Sequence, residues 1–176
     1  MGLFAKRGAE EYMGEPVSMA GHMEQTAACA VADNASNELI AAALLHDIGH
    51  FVGDFPIDAL QNGIDNLHEN IAAQFLAPYF PLSITEPIRL HVPAKKYLCA
   101  VDPSYYHQLS SASMQSLEVQ GGPMTKQETA AFEANPHYKH AVQLRKYDDN
   151  GKVAAKIIHP VTYYQPLLIS LLQWSR

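Results

Sequence analysis

The apolar positions of this chain recur at helical spacing. Between residues 17 and 33 (VSMAGHMEQTAACAVAD), Met19, Met23, Thr26, Ala27 and Ala30 fall on one face of a 3.6-residue repeat. Ser36 has the residue type of an N-cap, and LIAAALLHDIGHF soon after it is apolar on nearly every face. That pattern predicts a buried central helix, ended by Gly53 and Pro56. A loop is expected through Asn62-Gly63. A third helix is expected over 66–77, stopped by Pro78 and Pro81. A fourth is expected over 83–91, with Pro87 near its first turn, and HVPAKKYL follows. Residues 103–117 read as helix and Gly121-Gly122-Pro123 as a sharp break. Thr125 with Glu128 reads as a capping box opening 126–134. Helices over 137–149 and 160–174 complete the set. No sustained two-residue alternation bounded by turn dipeptides is present, and no internal repeat. The expectation is an all-α fold: a bundle of about seven to eight helices, forming one domain over residues 1–176.

Composition agrees with that picture. The 176 residues suit one domain, and 48% hydrophobic against 17% charged residues suits a packed core. The net charge of −6 argues against a general polyanion binder. No run of about 18 uncharged apolar residues suggests a membrane span. The segment MGLFAKRGAEEY lacks an apolar stretch, so no secretory leader is expected. Cys29 and Cys99 make neither a disulfide framework nor a CxxC pair. A cytoplasmic location with both thiols reduced is the expectation.

Histidine is over-represented, with nine against eighteen carboxylates. Three of the relevant residues, His46, Asp47 and His50, stand in the buried central segment LLHDIGH. A His-Asp pair is costly to bury in an apolar helix without a partner. A metal ion is such a partner, because neutral imidazole and carboxylate both become ligands. Each further histidine has an ordinary reading on its own. His22 could be a satisfied core histidine, His68 a surface residue beside Glu69, and His91 the end of its helix. Taken in order around the HD pair, they suggest one site. His107, His137, His140 and His159 match no pattern and read as surface or structural.

These residues resemble the HD-domain superfamily, whose pattern is a first His, an HD pair and a distant Asp from separate helices. The matches are His22, His46, Asp47 and an Asp of LRKYDD, where Asp148 is preferred to Asp149 because it follows the aromatic residue. His68 in LHE and His91 in LHVPAK stand where binuclear members place the ligands of a second metal. The resemblance therefore implies His22, His46, Asp47 and Asp148 for one metal, His68 and His91 for the other, and Asp47 bridging. Such a donor set suits iron, manganese or zinc.

Most HD proteins are phosphohydrolases, but a small branch with the same binuclear site activates dioxygen. The segment EEYMGEPVSMAGHMEQTAACA resembles 2-amino-1-hydroxyethylphosphonate dioxygenase and its trimethylammonium-substrate relative, mixed-valent di-iron oxygenases of that branch. Further likeness lies in LLHDIGH, HVPAKKYL and QGGPM. The resemblance implies that Tyr12 occupies an open iron position until substrate displaces it, and that Glu15 pairs with the substrate's nitrogen cation. A carboxylate beside such a cation makes a charge-assisted contact. On its own, Glu15 could equally be a loop acid. The phosphonate end requires cationic donors. Candidates carried over by position are His50, Lys95, Ser113 and Arg145, with Ser116 and Gln120 weaker. A solvated pair with Lys96 is the plain alternative for Lys95, and a surface ion pair for Arg145. The implied cofactors are two iron ions, Fe(II) and Fe(III), with dioxygen as co-substrate. The implied reaction cleaves the C–P bond of a 1-hydroxy-2-(methylated or free amino)ethylphosphonate, giving phosphate and glycine or glycine betaine. The alternative is an HD-type hydrolase of a small phosphate ester or nucleotide. The expected partner is a small organophosphonate, with neither nucleic acid nor membrane.

Overall fold

Side-chain caps set where the helices of this chain begin. The computed structural model describes residues 1–12, 14–53 and 62–173. Helix α1 (Gly2–Arg7) is followed by α2 (Met19–Ala32), opened by Ser18, whose hydroxyl accepts from Gly21 N–H at 3.1 Å. Ser36 opens α3 (Asn37–Leu45) in the same way, accepting from Leu39 N–H at 3.3 Å. Then come α4 (Gly49–Val52), α5 (His68–Leu76), α6 (Leu82–Val101), α7 (Pro103–Tyr106) and α8 (Ser111–Val119). The described chain closes with α9 (Lys126–Glu133), α10 (Tyr138–Asn150), a 3-10 turn at Val161–Tyr164 and α11 (Gln165–Ser170). Thr125 and Glu128 form the capping box of α9 in full. Among the described residues there is no β-strand, only an isolated bridge between Glu11 and Ser18. Among the described residues, seven helices have eight or more residues. No described helix is long and apolar enough to cross a membrane.

The core forms around α3. Every residue from Leu39 to Leu45 is buried, which explains why the segment is apolar on all faces rather than striped. Helices α2, α6 and α10 pack around it, and α10 also lies against α2 and α6. Met23, Ala27 and Ala30 of α2 and Leu144 of α10 complete the inner layer.

Several boundaries differ from the sequence expectation, each for a physical reason. The central helix does not run unbroken through LLHDIGH. After Leu45 the backbone tightens: Ile48 N–H donates to Leu45 C=O at 3.1 Å and His50 N–H to Asp47 C=O at 3.0 Å, both three-residue bonds. The tightening falls at the HD pair itself. Pro56 and residue 174, proposed ends of two helices, lie outside the described residues. The expected helix 83–91 continues to Val101, with Pro87 and Pro93 inside it. Each proline forgoes one helical hydrogen bond, but the buried face of Ile84, Ile88, Leu90, Ala94 and Leu98 holds the helix together. The expected helix 103–117 is two, because Ser110 starts a new one by accepting from Ser113 N–H at 3.2 Å. Helix α1 was not foreseen, and the last expected helix divides into a 3-10 turn and α11.

Gly49 stands where α4 crosses the start of α5. A Cβ there would lie 2.0 Å from the His68 carbonyl oxygen and 2.8 Å from its carbon. Only glycine allows this approach, and His68 moves if the approach is lost. Gly49→Ala is therefore expected to destabilise the protein by about 3 kcal/mol, as overpacking against rigid backbone does. Denaturant unfolding of the metal-free protein measures this; a change under about 0.5 kcal/mol contradicts the packing account.

Candidate metal centre and active site

Four imidazoles meet in the middle of the bundle, each oriented by a bond from its outer nitrogen. His22 Nδ1 is 3.1 Å from the Gly151 carbonyl, His46 Nδ1 2.9 Å from the Ala43 carbonyl, and His91 Nδ1 2.7 Å from the Ile88 carbonyl. His68 Nδ1 is 2.9 Å from Asn66 Oδ1. Carbonyl oxygens only accept, so each Nδ1 carries a proton and donates it. In the neutral rings every Nε2 then presents a lone pair to the interior.

The lone pairs face one another in two pairs. His22 and His46 have their Nε2 atoms 3.2 Å apart, and so do His68 and His91. Asp47 lies between the pairs. Its Oδ2 is 3.5 Å from His22 Nε2 and 3.3 Å from His46 Nε2. Its Oδ1 is 3.3 Å from His68 Nε2 and 3.5 Å from His91 Nε2. Asp148 Oδ1 is 3.3 Å from His22 Nε2. Both oxygens of Asp47 and Oδ1 of Asp148 are buried and accept no hydrogen bond among the described residues. Acceptors facing acceptors at these distances repel unless a cation sits between them. The donor set thus fits metal ions, and His22, His46, Asp47, His68, His91 and Asp148 could hold them. Burial pushes the Asp47 carboxyl up, but the His46 and His68 rings hold it well below the usual carboxylate range. For Asp148, burial is outweighed chiefly by the Arg145 guanidinium, and the carboxyl again stays well below that range. The residue of LRKYDD at the centre is Asp148; Asp149 turns away, accepting from Tyr105 Oη–H at 2.5 Å.

Local structure explains how each ring arrives. His68 opens α5 from a strained turn: Leu67 has φ +49, and Asn66 Oδ1 accepts both the His68 N–H at 3.3 Å and its Nδ1–H. Gly151 closes α10 against α2, where a Cβ would lie 2.4 Å from Thr26 Oγ1. Neither Asn66 nor Gly151 was found in the sequence. Asn-Leu-His before a helix is a cap pattern, and the glycine ending LRKYDDN is a helix-stop signal, so both left a trace.

A cleft of about 50 Å³ opens onto the centre. Tyr12 and Glu15 form one wall. Glu15 N–H donates to Tyr12 C=O at 2.8 Å, and Gly14 between them has φ +76, a conformation suited to glycine. The Tyr12 ring stacks on His22 with centroids 4.0 Å apart. Burial, then the Asp47 and Asp148 charges, raise its phenol well above the usual value, so it is a neutral donor. The opposite wall is polar. Lys95 follows His91 by one turn of the unbroken α6, and its Nζ donates to Ser116 Oγ at 2.6 Å. Burial lowers its ammonium to about 7. Arg145 Nη1 pairs with Asp148 Oδ2 at 2.8 Å, and Arg145 Nη2 donates to Ser113 Oγ at 3.3 Å. Gln120 also lines the cleft.

Two expectations change here. His50, foreseen among the cationic donors, stacks on His68 with centroids 4.2 Å apart, and burial lowers its imidazole to about 3. It offers a neutral polar edge. Lys152, not foreseen, also lines the cleft. It sits two residues past the end of α10, where sequence spacing gives no hint of its direction. The unassigned histidines are elsewhere: His107, His140 and His159 are exposed, and His137 is half-buried at the head of α10.

Comparison with known proteins adds to this geometry. The HD domain family profile matches residues 18–120. The chain is 44% identical over 167 residues to "[1-hydroxy-2-(trimethylamino)ethyl]phosphonate dioxygenase (glycine-betaine-forming)" of Leisingera caerulea, covering 95% of this chain and 85% of that protein. It is also 44% identical over 169 residues to "Hydroxymethylphosphonate dioxygenase" of Gimesia maris, covering 94% and 83%. An uncharacterized protein of Acanthamoeba polyphaga mimivirus, L432, is 36% identical over 176 residues.

Two outcomes follow from the geometry. Lys95 is protonated in the unfolded chain below about 10.5, but in the folded chain only below about 7. Its burial therefore costs stability that is regained as pH rises from 7 toward 10.5. Lys95→Met is expected to raise unfolding stability at pH 7 by up to about 4 kcal/mol, with the gain shrinking by pH 10. A destabilised variant contradicts this. Asn66→Ala frees the His68 ring, and metal affinity is expected to fall about 10–100-fold. Competition with a chelator measures it; unchanged affinity contradicts the orienting role.

Proposed function

The chain belongs to the HD domain family, by its match over residues 18–120 and its near full-length relatives, and from that premise we propose an iron-dependent oxygenase that cleaves the C–P bond of a 1-hydroxyalkylphosphonate. The observation that carries the proposal is the two-sided cluster of inward Nε2 lone pairs around Asp47, beside a cleft lined by Lys95, Arg145 and Lys152. A hydrolase of the same family could share the metal ligands. The names of the two 44% identical relatives favour the oxygenase.

In this reading His22, His46, Asp47 and Asp148 would hold one iron, and His68 and His91 together with Asp47 the other, as an Fe(II)/Fe(III) pair. Bound iron supplies Lewis acidity and the redox capacity to use dioxygen. The overall change balances as R–CH(OH)–PO₃²⁻ + O₂ → R–COO⁻ + HPO₄²⁻ + H⁺. The C–P bond breaks, and the carbon is oxidised to a carboxylate. With an aminomethyl or trimethylammoniomethyl group as R, the products are glycine or glycine betaine with phosphate.

The side chains of the cleft bind and orient. Lys95, when protonated, offers a point charge to a phosphonate oxygen, and a bound dianion favours that protonated form. Arg145 adds charge from a guanidinium braced by Asp148 and Asp149, and Ser113 and neutral His50 add polar contacts. Glu15, at the other wall, faces the R group and is the partner for a cationic nitrogen. Tyr12 covers the His22 face of the cluster and keeps water from it until substrate enters.

The test is phosphate release from 1-hydroxyphosphonates by iron-loaded protein, with and without oxygen. Release is expected only with oxygen, with one O₂ consumed per phosphate. Lys95→Met is expected to lower kcat/KM by at least about 100-fold, the loss of a charge-assisted contact in a buried site. Phosphate release from phosphate esters without oxygen, and none from the phosphonates, overturns the proposal.

A further inference from the structure

One cation of the cleft touches both of its walls. Lys152 Nζ is 3.7 Å from Glu15 Oε1 and donates to Ser113 Oγ at 3.0 Å. It also lies 5.9 Å from the Tyr12 ring centroid. The side chains of Lys152 and Glu15 are only 12% and 13% exposed. The position is built rather than incidental. Gln25 of α2 clamps the next residue from both sides: its Nε2–H donates to the Val153 carbonyl at 2.9 Å, and its Oε1 accepts the Val153 N–H at 3.0 Å. The Gly151 carbonyl on the other side is engaged with His22. Lys152 is thus held between two anchored residues and directed into the cleft.

The contact with Glu15 has a particular character. At 3.7 Å it is a charge contact beyond hydrogen-bond length, and Glu15 Oε1 is buried without a hydrogen-bond partner among the described residues. A carboxylate in that state attracts a cation that can approach more closely. Lys152 already supplies its counter-charge. A ligand carrying a cationic nitrogen must share or displace Lys152, which must then move nearer the other cations of the cleft. A ligand without one leaves the pair intact, and Lys152 adds to the positive field that meets a dianion. The two named relatives mark this distinction: one name carries a trimethylamino group and the other none.

We propose that Lys152 is a specificity-determining residue: by holding the counter-charge of Glu15, it disfavours hydroxyphosphonates with a cationic nitrogen relative to those without. The proposal rests on the oxygenase reading for its choice of ligands. It is a statement about competition for one carboxylate, so it predicts a ratio and not an absolute rate. Removing the Lys152 charge favours the ligand with a cationic nitrogen by exposing Glu15, and penalises the ligand without one by leaving Glu15 uncompensated beside the dianion.

The experiment compares wild type, Lys152→Met and Lys152→Arg with hydroxymethylphosphonate and [1-hydroxy-2-(trimethylamino)ethyl]phosphonate. The readouts are phosphate release and, without oxygen, calorimetric binding. In Lys152→Met the kcat/KM ratio of the trimethylammonium substrate to hydroxymethylphosphonate is expected to rise at least about tenfold, mainly through KM, with the same shift in the Kd ratio. Lys152→Arg, which keeps the charge, is expected to stay within about threefold of wild type. An unchanged or lower ratio in Lys152→Met overturns the proposal. No phosphate from either compound with wild type overturns the oxygenase reading instead, and the Kd ratio then still decides the role of Lys152. If Lys152→Met does not fold, Glu15→Gln serves. It is expected to lower the ratio at least about tenfold, and Lys152→Gln added to it is expected to leave the ratio unchanged; a change of about tenfold in either direction contradicts the coupling.

Discussion

Four imidazole lone pairs, both oxygens of Asp47 and one of Asp148 converge on the centre of this bundle, and those three oxygens accept no hydrogen bond among the described residues. In a low-dielectric interior such a cluster is repulsive on its own terms. The surrounding structure is arranged to hold it there. Each ring is oriented by an outward bond from Nδ1 to a carbonyl oxygen, on three backbones and one asparagine. The helix tightens at the HD pair, Gly49 lets α4 close on His68, and Gly151 lets the end of α10 close on His22. Positive charge at the centre is what makes these details consistent with one another.

The same requirement organises the cleft. Asp148 faces the centre with one oxygen and Arg145 with the other, so the buried carboxylate and the guanidinium lining the cleft belong to one braced unit. Lys95 and Lys152 are held by serine hydroxyls, Ser116 and Ser113, rather than by hydrogen-bonded carboxylates. Lys152 also shares its charge with Glu15 at 3.7 Å. An acidic protein thus carries a local basic wall, and its net charge of −6 says nothing about its ligand.

Much of this was legible in the sequence. The buried helix at 37–45 showed in its unbroken apolar run, the capping box in Thr125 and Glu128, and the chain reversal in Gly121-Gly122, which have φ +89 and +76. The convergence of His22, His46, Asp47, His68, His91 and Asp148 was legible because their order resembles the HD-domain pattern. What escaped depends on tertiary packing. The fourth helix was expected to end at His91, yet burial of one face carries α6 through Pro87 and Pro93, and that continuation sets Lys95 a turn beyond His91. His50 was carried over by position among the cationic donors, while burial lowers its imidazole to about 3. Lys152 follows a helix end, where direction is set by Gln25 from another helix.

Asp47 stands between the two imidazole pairs with one oxygen toward each, and the proposed pair of irons depends on it. Iron content per chain, measured on purified wild type and on Asp47→Asn loaded side by side, tests that dependence most directly. The account predicts two irons per chain with a coupled mixed-valent EPR signal in wild type. In Asp47→Asn it predicts loss of that signal, with at most one iron retained. A wild-type chain that binds a single iron, or an Asp47→Asn chain that keeps two coupled irons, contradicts it.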